Sequence, residues 1–317
     1  MTSMSSVPAA PEYSLSSLNW VDFGSDAPAD RRSRATRPLT EVLKAAAASG
    51  FGHVGVDLES VTFGTTPEAF TADLVSGLAE EFRIWELECS DVGILMLGSP
   101  RTQDDAQRLV ELADALGGSF CLSTFAGAVT DESVAQLRRC AAMFQEVGTR
   151  IALEFIPFGP LDSCATATSI CAEVGWERCG LLLDSYHVCH AGEVEIQLRG
   201  LSGEQVAFVQ LADGLVEEGV SPASLARRRR LPAGYGQLDV NGFVRRVSSL
   251  GWSGPISPEV LSDDFRATAP ALGAALLHAS ARLAWELPEV TDDLTIGAPT
   301  HHRDDHRAVH SRPSWAN

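Results

Sequence analysis

Short apolar runs alternate with amphipathic stretches along most of this chain, and that alternation restricts the fold more than any other feature. The strand candidates are HVGVDL (53–58), RIWELEC (83–89), SFCLSTF (119–125), RIALEFI (150–156), CGLLLD (179–184), QVAFVQL (205–211) and GPISPEV (254–260), with a weaker first one near 15–23. Helical patterns such as PLTEVLKAAAASG and TQDDAQRLVELADALGG separate them and close on glycine, the usual C-terminal stop signal. Eight strands, each followed by a helix at a spacing of roughly 30 residues, predict the α/β class and a (β/α)8 TIM barrel. A doubly wound open sheet is the rival, but no GxGxxG follows an early strand, so its dinucleotide-binding version lacks support. The reading places one barrel domain over 13–288, with the helix near 264–287 closing the ring. A flexible N-terminus (1–12) and a disordered tail (289–317) that contains HHRDDHRAVH are expected on either side.

The 42 acidic residues against 24 basic ones give a formal charge of -18, which disfavours a nucleic acid or an anionic membrane as partner. Seven cysteines, scattered singly and odd in number, read as reduced thiols of a cytoplasmic protein. No apolar run approaches the roughly 18 residues that a membrane span requires, and the first residues lack the basic and apolar regions of a signal peptide. The partner is therefore expected to be a small molecule, and the sequence leaves room for a homo-oligomer.

In a barrel of this kind chemistry sits where strands end. Alternation puts Glu154 on one face with Ala152, Asp184 with Leu182, Gln210 with Phe208, and Glu259 with Ser257. A lone carboxylate at a strand end is most often a cap or a solvated group; four oxygen-bearing side chains on consecutive strands, all on the interior parity, point elsewhere. Three converging carboxylates repel one another unless a cation joins them. Three carboxylates and one amide oxygen are hard donors, favouring Mn2+ or Mg2+, with Co2+ behind and Zn2+ last. His187, three residues past Asp184, can reach a substrate oxygen or back a metal ligand, or it is a hydrogen-bonded loop histidine. Asp213 either backs a ligand or forms a turn before Gly214. The run RRRR (227–230) is a solvated face, or a lid whose Arg229 or Arg230 grips a carboxylate or phosphate.

LEFIPFG, LLLDSYHVCHAG, VQLADG, RRRRLPAGYGQLDV and GPISPEV occur in an order and spacing that resembles the xylose-isomerase-like TIM barrels, most clearly over 150–262. That superfamily includes sugar phosphate isomerases and epimerases, ketose 3-epimerases, inosose dehydratases, 3-dehydroshikimate dehydratases and zinc-dependent AP endonucleases. The resemblance implies that Glu154, Asp184, Gln210 and Glu259 ligate one divalent cation, that Glu154 and Glu259 form the acid/base pair, and that His187 binds a substrate oxygen or takes part in catalysis. Most ketose epimerases have His where this chain has Gln210, whereas the 3-dehydroshikimate dehydratases have Gln, which pulls toward a lyase. Many relatives carry Arg at His190 and an acidic residue at Tyr235, on loops that would face the ligand. His190 joins Arg229 and Arg230 as expected substrate contacts.

Isomerisation, epimerisation and β-elimination of a hydroxy-ketone share one first step, removal of a proton next to a carbonyl, helped by a Lewis-acidic cation and a carboxylate base. The expected function is a metal-dependent isomerase or epimerase of a sugar, sugar phosphate or related polyhydroxy ketone. The alternatives are a dehydratase of a 3-dehydroshikimate-like keto acid and a non-catalytic barrel serving as a binding subunit. An AP endonuclease would need a His-rich multi-zinc site and a basic DNA-facing surface, neither of which this acidic chain offers.

Overall fold

The computed structural model describes residues 11–24, 33–65, 69–217 and 219–286. The expected tail (289–317), its histidine-rich run and residues 1–10 lie outside them. Eight strands form one parallel sheet: β1 (Ser14–Ser16), β2 (His53–Asp57), β3 (Glu88–Leu97), β4 (Phe120–Phe125), β5 (Arg150–Glu154), β6 (Cys179–Asp184), β7 (Val206–Leu211) and β8 (Ile256–Pro258). Each pairs with its neighbour in sequence order, and a parallel bridge between Tyr13 and Ile256 joins the last strand to the first. The expected TIM barrel is the observed fold. Outer helices follow the strands: α1 (Leu39–Ser49), α2 (Ala72–Ile84), α3 (Thr102–Leu116), α4 (Asp131–Glu146), α5 (Cys164–Val174), α6 (Ser185–Ala191), α7 (Val240–Ser249) and α8 (Pro270–Glu286).

Local chemistry sets the helix ends. Side-chain oxygens of Thr71, Thr130 and Ser163 accept from backbone N–H groups in the first turns of α2, α4 and α5, satisfying donors that the helix leaves free. Gly50 (φ 89°) and Gly117 (φ 69°) end α1 and α3 in the left-handed conformation that glycine adopts without steric cost.

Two strand expectations need correction. The segment 83–89 does not form the third strand: α2 runs through Ile84, Glu86 turns the chain with φ 52°, and β3 extends from Glu88 to Leu97. Ser90 and Asp91, although polar, are buried inside this strand. Gly55 on β2 makes that placement feasible, because a Cβ there would come within 2.5 Å of both Asp91 carboxylate oxygens. The weak first strand is also shorter than 15–23. After Ser16 the chain makes a 3-10 turn (Ser17–Trp20), and Val21–Asp22 pairs antiparallel with Arg34–Ala35.

Barrel and helices bury separate apolar layers. Leu122, Ala152, Leu182 and Phe208, on the interior parity of β4 to β7, cluster with Ala207 and Phe120 to plug the barrel. Each large member contributes roughly 1.5–3 kcal/mol of hydrophobic stabilisation. Two residues further along β5, β6 and β7 the interior positions are Glu154, Asp184 and Gln210, so the apolar plug becomes the floor of a polar mouth.

Candidate functional site

Asp184 ends β6 and caps α6. Its Oδ1 accepts the Tyr186 N–H at 2.9 Å, which orients the carboxylate and leaves Oδ2 facing the mouth. Oδ2 accepts from Arg230 Nη1 at 2.7 Å. The same Arg230 Nη1 lies 3.3 Å from Glu259 Oε2 and donates to the Glu259 carbonyl at 3.2 Å. Arg230 is only 3% exposed, its Nε donates to the Ala226 carbonyl at 2.7 Å, and its guanidinium lies over the Tyr186 ring, 4.8 Å from the centroid. Gln210 Nε2 donates to Glu259 Oε1 at 2.7 Å. Glu154, Asp184 and His187 bring ligand atoms within 4.8 Å of one another, with His187 Nε2 at 3.5 Å from Glu154 Oε1.

One buried cation, Arg230, thus stands among the buried carboxylates of Asp184 and Glu259 and the largely buried one of Glu154, and the proton affinities follow. Burial, reinforced by the Glu259 and Asp184 charges, pushes Glu154 well above the usual carboxylate range. Burial raises Glu259 to about 7 against the lowering effect of Arg230, and it raises Asp184 in the same way. Burial and then the charge of Arg230 push His187 well below its ordinary value, so the ring is neutral. Its Nε2 lies 3.1 Å from Arg230 Nη2, a group that can only donate, so Nε2 accepts and the proton resides on Nδ1. That Nδ1, Glu154 Oε1 and Gln210 Oε1 are buried and have no hydrogen-bond partner. A buried polar atom without a partner is costly, and three of them on side chains of one cluster mark where a ligand completes the network.

The site residues named from sequence fall into two groups. Glu154, Asp184, His187, Gln210, Glu259 and Arg230 come together in the mouth. Arg229 does not: its side chain is 58% exposed and pairs with Glu217 at 2.7 Å. His190 stands beside the cluster, stacked on Tyr186 at 4.2 Å with Nδ1 2.7 Å from the Tyr186 carbonyl.

Sequence reasoning passed over Asn19, Asp57 and Asp91. Buried Asn19 donates to the Ser16 and Pro258 carbonyls and accepts the Val260 N–H at 2.6 Å, so it joins β1 to the backbone on both sides of Glu259. Nothing in the local sequence marks it, since Pro258 and Val260 are more than 230 positions away. Asp57 was open to discovery, because HVGVDL ends in a carboxylate as CGLLLD does. Its oxygens accept from the Ser17 and Ser60 hydroxyls and from the Ser60 N–H.

A cavity of about 410 Å³ opens between the loops after β1, β2 and β3 and is lined by Arg34, Arg101 and Arg108 among others. None of its lining residues belongs to the carboxylate cluster, so converging side chains define the site rather than free volume.

Asp57 and Asp91 give the barrel a pH response of its own. Burial raises Asp57 to about 6 and Asp91 to about 7 from an ordinary 3.8. The folded chain therefore holds these protons more tightly than the unfolded chain does. Their stabilisation is complete below about pH 4 and is lost as pH rises through 6 to 7. The melting temperature is expected to fall between pH 5 and pH 8, and Asp91→Asn should flatten the fall by about 2–3 kcal/mol. An unchanged slope in that variant, measured by thermal unfolding at both pH values, would place the proton elsewhere.

A (β/α)8 barrel with carboxylates, a histidine and an amide gathered at the C-terminal ends of its strands has at its mouth a group, Glu154, Asp184 and His187, that could hold a metal ion. The chain belongs to the xylose isomerase-like TIM barrel family, whose model matches residues 43–282. It is similar to the 3-dehydroshikimate dehydratase of Pseudomonas putida, 26% identical over 75% of this chain and 38% of that protein. The enzyme of the same name from Pseudomonas aeruginosa is 28% identical over 72% of this chain and 37% of its own length. The chain thus spans less than two fifths of either relative. Among solved structures it resembles a xylose isomerase-like TIM barrel/4-hydroxyphenylpyruvate dioxygenase fusion protein, with a TM-score of 0.71 and 21% identity, covering 92% of this chain and 46% of that one. Among the described residues, no helix is long and apolar enough to cross a membrane.

Proposed function

We propose that this barrel is a divalent-metal-dependent dehydratase that removes a proton next to a carbonyl of a 3-dehydroshikimate-like keto acid and expels a β-hydroxyl as water. The observation that carries this reading is an asymmetry between the two glutamates. Glu259 is tied to Gln210 and Arg230, whereas Glu154 Oε1 has no partner. One free carboxylate suits a single-base elimination better than a two-base exchange across a ring. Gln210 and the two curated relatives point the same way.

The donor set fits a cation: Glu154, Asp184 and Glu259 with Gln210 Oε1 are hard oxygen ligands, and two of the unpartnered atoms belong to this set. His187 is close enough to the Glu154 and Asp184 carboxylates to join them. Mn2+ or Mg2+ suits such a set, and when bound it supplies Lewis acidity toward a carbonyl oxygen. The chain's own residues do the rest. Glu154 takes the proton and passes it to the departing hydroxyl, which leaves as water, while neutral His187 offers its Nδ1–H as a hydrogen bond to that hydroxyl. Arg230 holds Asp184 and Glu259 in place and offers its one remaining N–H, on Nη2, to a substrate carboxylate. His190 and Arg229 are assigned to the rim as further substrate contacts.

The two-glutamate arrangement also supports a second reading, epimerisation of a polyhydroxy ketone, with Glu154 and Glu259 acting on opposite faces. Incubation with 3-dehydroshikimate and Mn2+ decides between them. Dehydration gives an aromatic dihydroxybenzoate with strong near-ultraviolet absorbance, whereas epimerase activity gives deuterium uptake from D2O beside the carbonyl of ketoses. Neither signal over a panel of both substrate classes would leave the barrel as a binding subunit.

A further inference from the structure

The connection from β7 to α7 carries Arg230 into the site, and a single carboxylate gathers four of its backbone N–H groups. Asp213, two residues beyond β7, is 2% exposed. Its Oδ1 accepts the backbone N–H groups of Gly214 (2.7 Å) and Leu238 (3.0 Å), and its Oδ2 accepts those of Gly234 (3.1 Å) and Gly236 (2.9 Å). Four amides from a loop without regular structure converge on it. Its own backbone forms a two-bond bridge with Leu231, with both N–H···O distances at 2.8 Å. The glycines are there for room. A Cβ on Gly236 would overlap Asp213 Oδ1, and one on Gly214 would come within 2.6 Å of the Tyr186 ring on which Arg230 rests.

We propose that Asp213 is a positioning residue: by gathering the N–H groups of residues 234–238 and anchoring Leu231, it holds the Arg230 guanidinium between Asp184, Glu259 and His187. This deepens the proposed reading and rests on that cluster being the reaction centre. The chain at 229–231 is pinned from two sides. Leu231 pairs with Asp213 beyond β7, while Arg229 bridges Ser262 and the Arg230 N–H donates to the Leu261 carbonyl at 3.2 Å beyond β8. Arg230 therefore spans the gap between the ends of these two strands. Its buried fork reaches both carboxylates only while both pins hold, and a guanidinium tolerates little displacement because its donors are fixed in one plane. Both pins on 229–231 are backbone contacts, and the Asp213 side chain adds a hold on residues 234–238, the segment that follows them.

The test reads Arg230 directly in the full chain, without turnover. In protein labelled with ¹⁵N-arginine, the buried Nε–H of Arg230, bonded to Ala226, gives a slowly exchanging resonance that is assigned by its absence in Arg230→Lys. Asp213→Asn is nearly isosteric but removes the charge and turns one acceptor into a donor. It is expected to speed exchange of that Nε–H at least about tenfold while backbone amides of β6 and β7 keep their protection. Gly236→Ala keeps the carboxylate, displaces the loop, and should give the same result. If the Arg230 signal is unchanged in either folded variant, the β8 side alone holds Arg230 and the assignment is overturned. If both variants unfold the barrel, Asp213 anchors the whole fold and the positioning role is likewise overturned. Because no substrate enters the measurement, a failed dehydration assay leaves this result standing, and the reverse.

Discussion

Glu154→Gln is expected to lower turnover by about 10²–10⁴-fold, the range a positioned general base contributes, while the barrel stays folded. The substitution keeps the shape of the side chain and removes its basicity. Among the carboxylates of the cluster, Glu154 alone has a buried oxygen with no hydrogen-bond partner. Glu259→Gln should also reduce activity, but through the Gln210 and Arg230 contacts it makes, so its effect should include loosened Mn2+ binding. Circular dichroism, Mn2+ titration and initial rates on the same preparations separate the cases. A Glu154→Gln enzyme that keeps more than about a tenth of wild-type turnover would remove Glu154 as the base.

Arg230→Met is expected to destabilise the metal-free chain by about 3–5 kcal/mol, the cost of leaving a buried charged group without its partner. In wild type Arg230 answers the Asp184 and Glu259 carboxylates at 2.7 and 3.3 Å in a site closed to solvent. Methionine fills much of the volume but leaves both carboxylates uncompensated, and protonation relieves them only in part. Saturating Mn2+ should restore much of the loss, since it supplies positive charge to the same oxygens. In a barrel of this size the shift corresponds to roughly 6–20 °C in melting temperature. Equal melting temperatures for variant and wild type without Mn2+ would mean that the carboxylates do not depend on Arg230 for charge balance.

Several particulars of the site were legible because they follow from strand periodicity. Leu182 and Asp184, or Phe208 and Gln210, occupy one face of a strand whatever the rest of the chain does, so an apolar plug under polar tips could be read directly. The ordinary alternative for Asp184 was that it caps a helix, and in the fold both descriptions hold: Oδ1 caps α6 and Oδ2 meets Arg230. A strand end that is also a helix start makes one carboxylate serve both purposes. Periodicity did not reveal the strand through Ser90 and Asp91, because the room for a buried carboxylate there comes from Gly55 across the strand pair and not from neighbours along the chain.

What the sequence by itself determined is the period-2 and period-3.6 patterning of apolar residues, and with it the barrel and the strand-end positions of Glu154, Asp184 and Gln210. Only tertiary structure decided which of the consecutive arginines enters the mouth, that Asn19 grips the chain around Glu259, and that Asp213 ties down a glycine loop. The reason is that patterning is a property of neighbours along the chain. A contact between residues tens or hundreds of positions apart depends on how strand ends and loops are arranged around the ring, and no local run of residues encodes that arrangement.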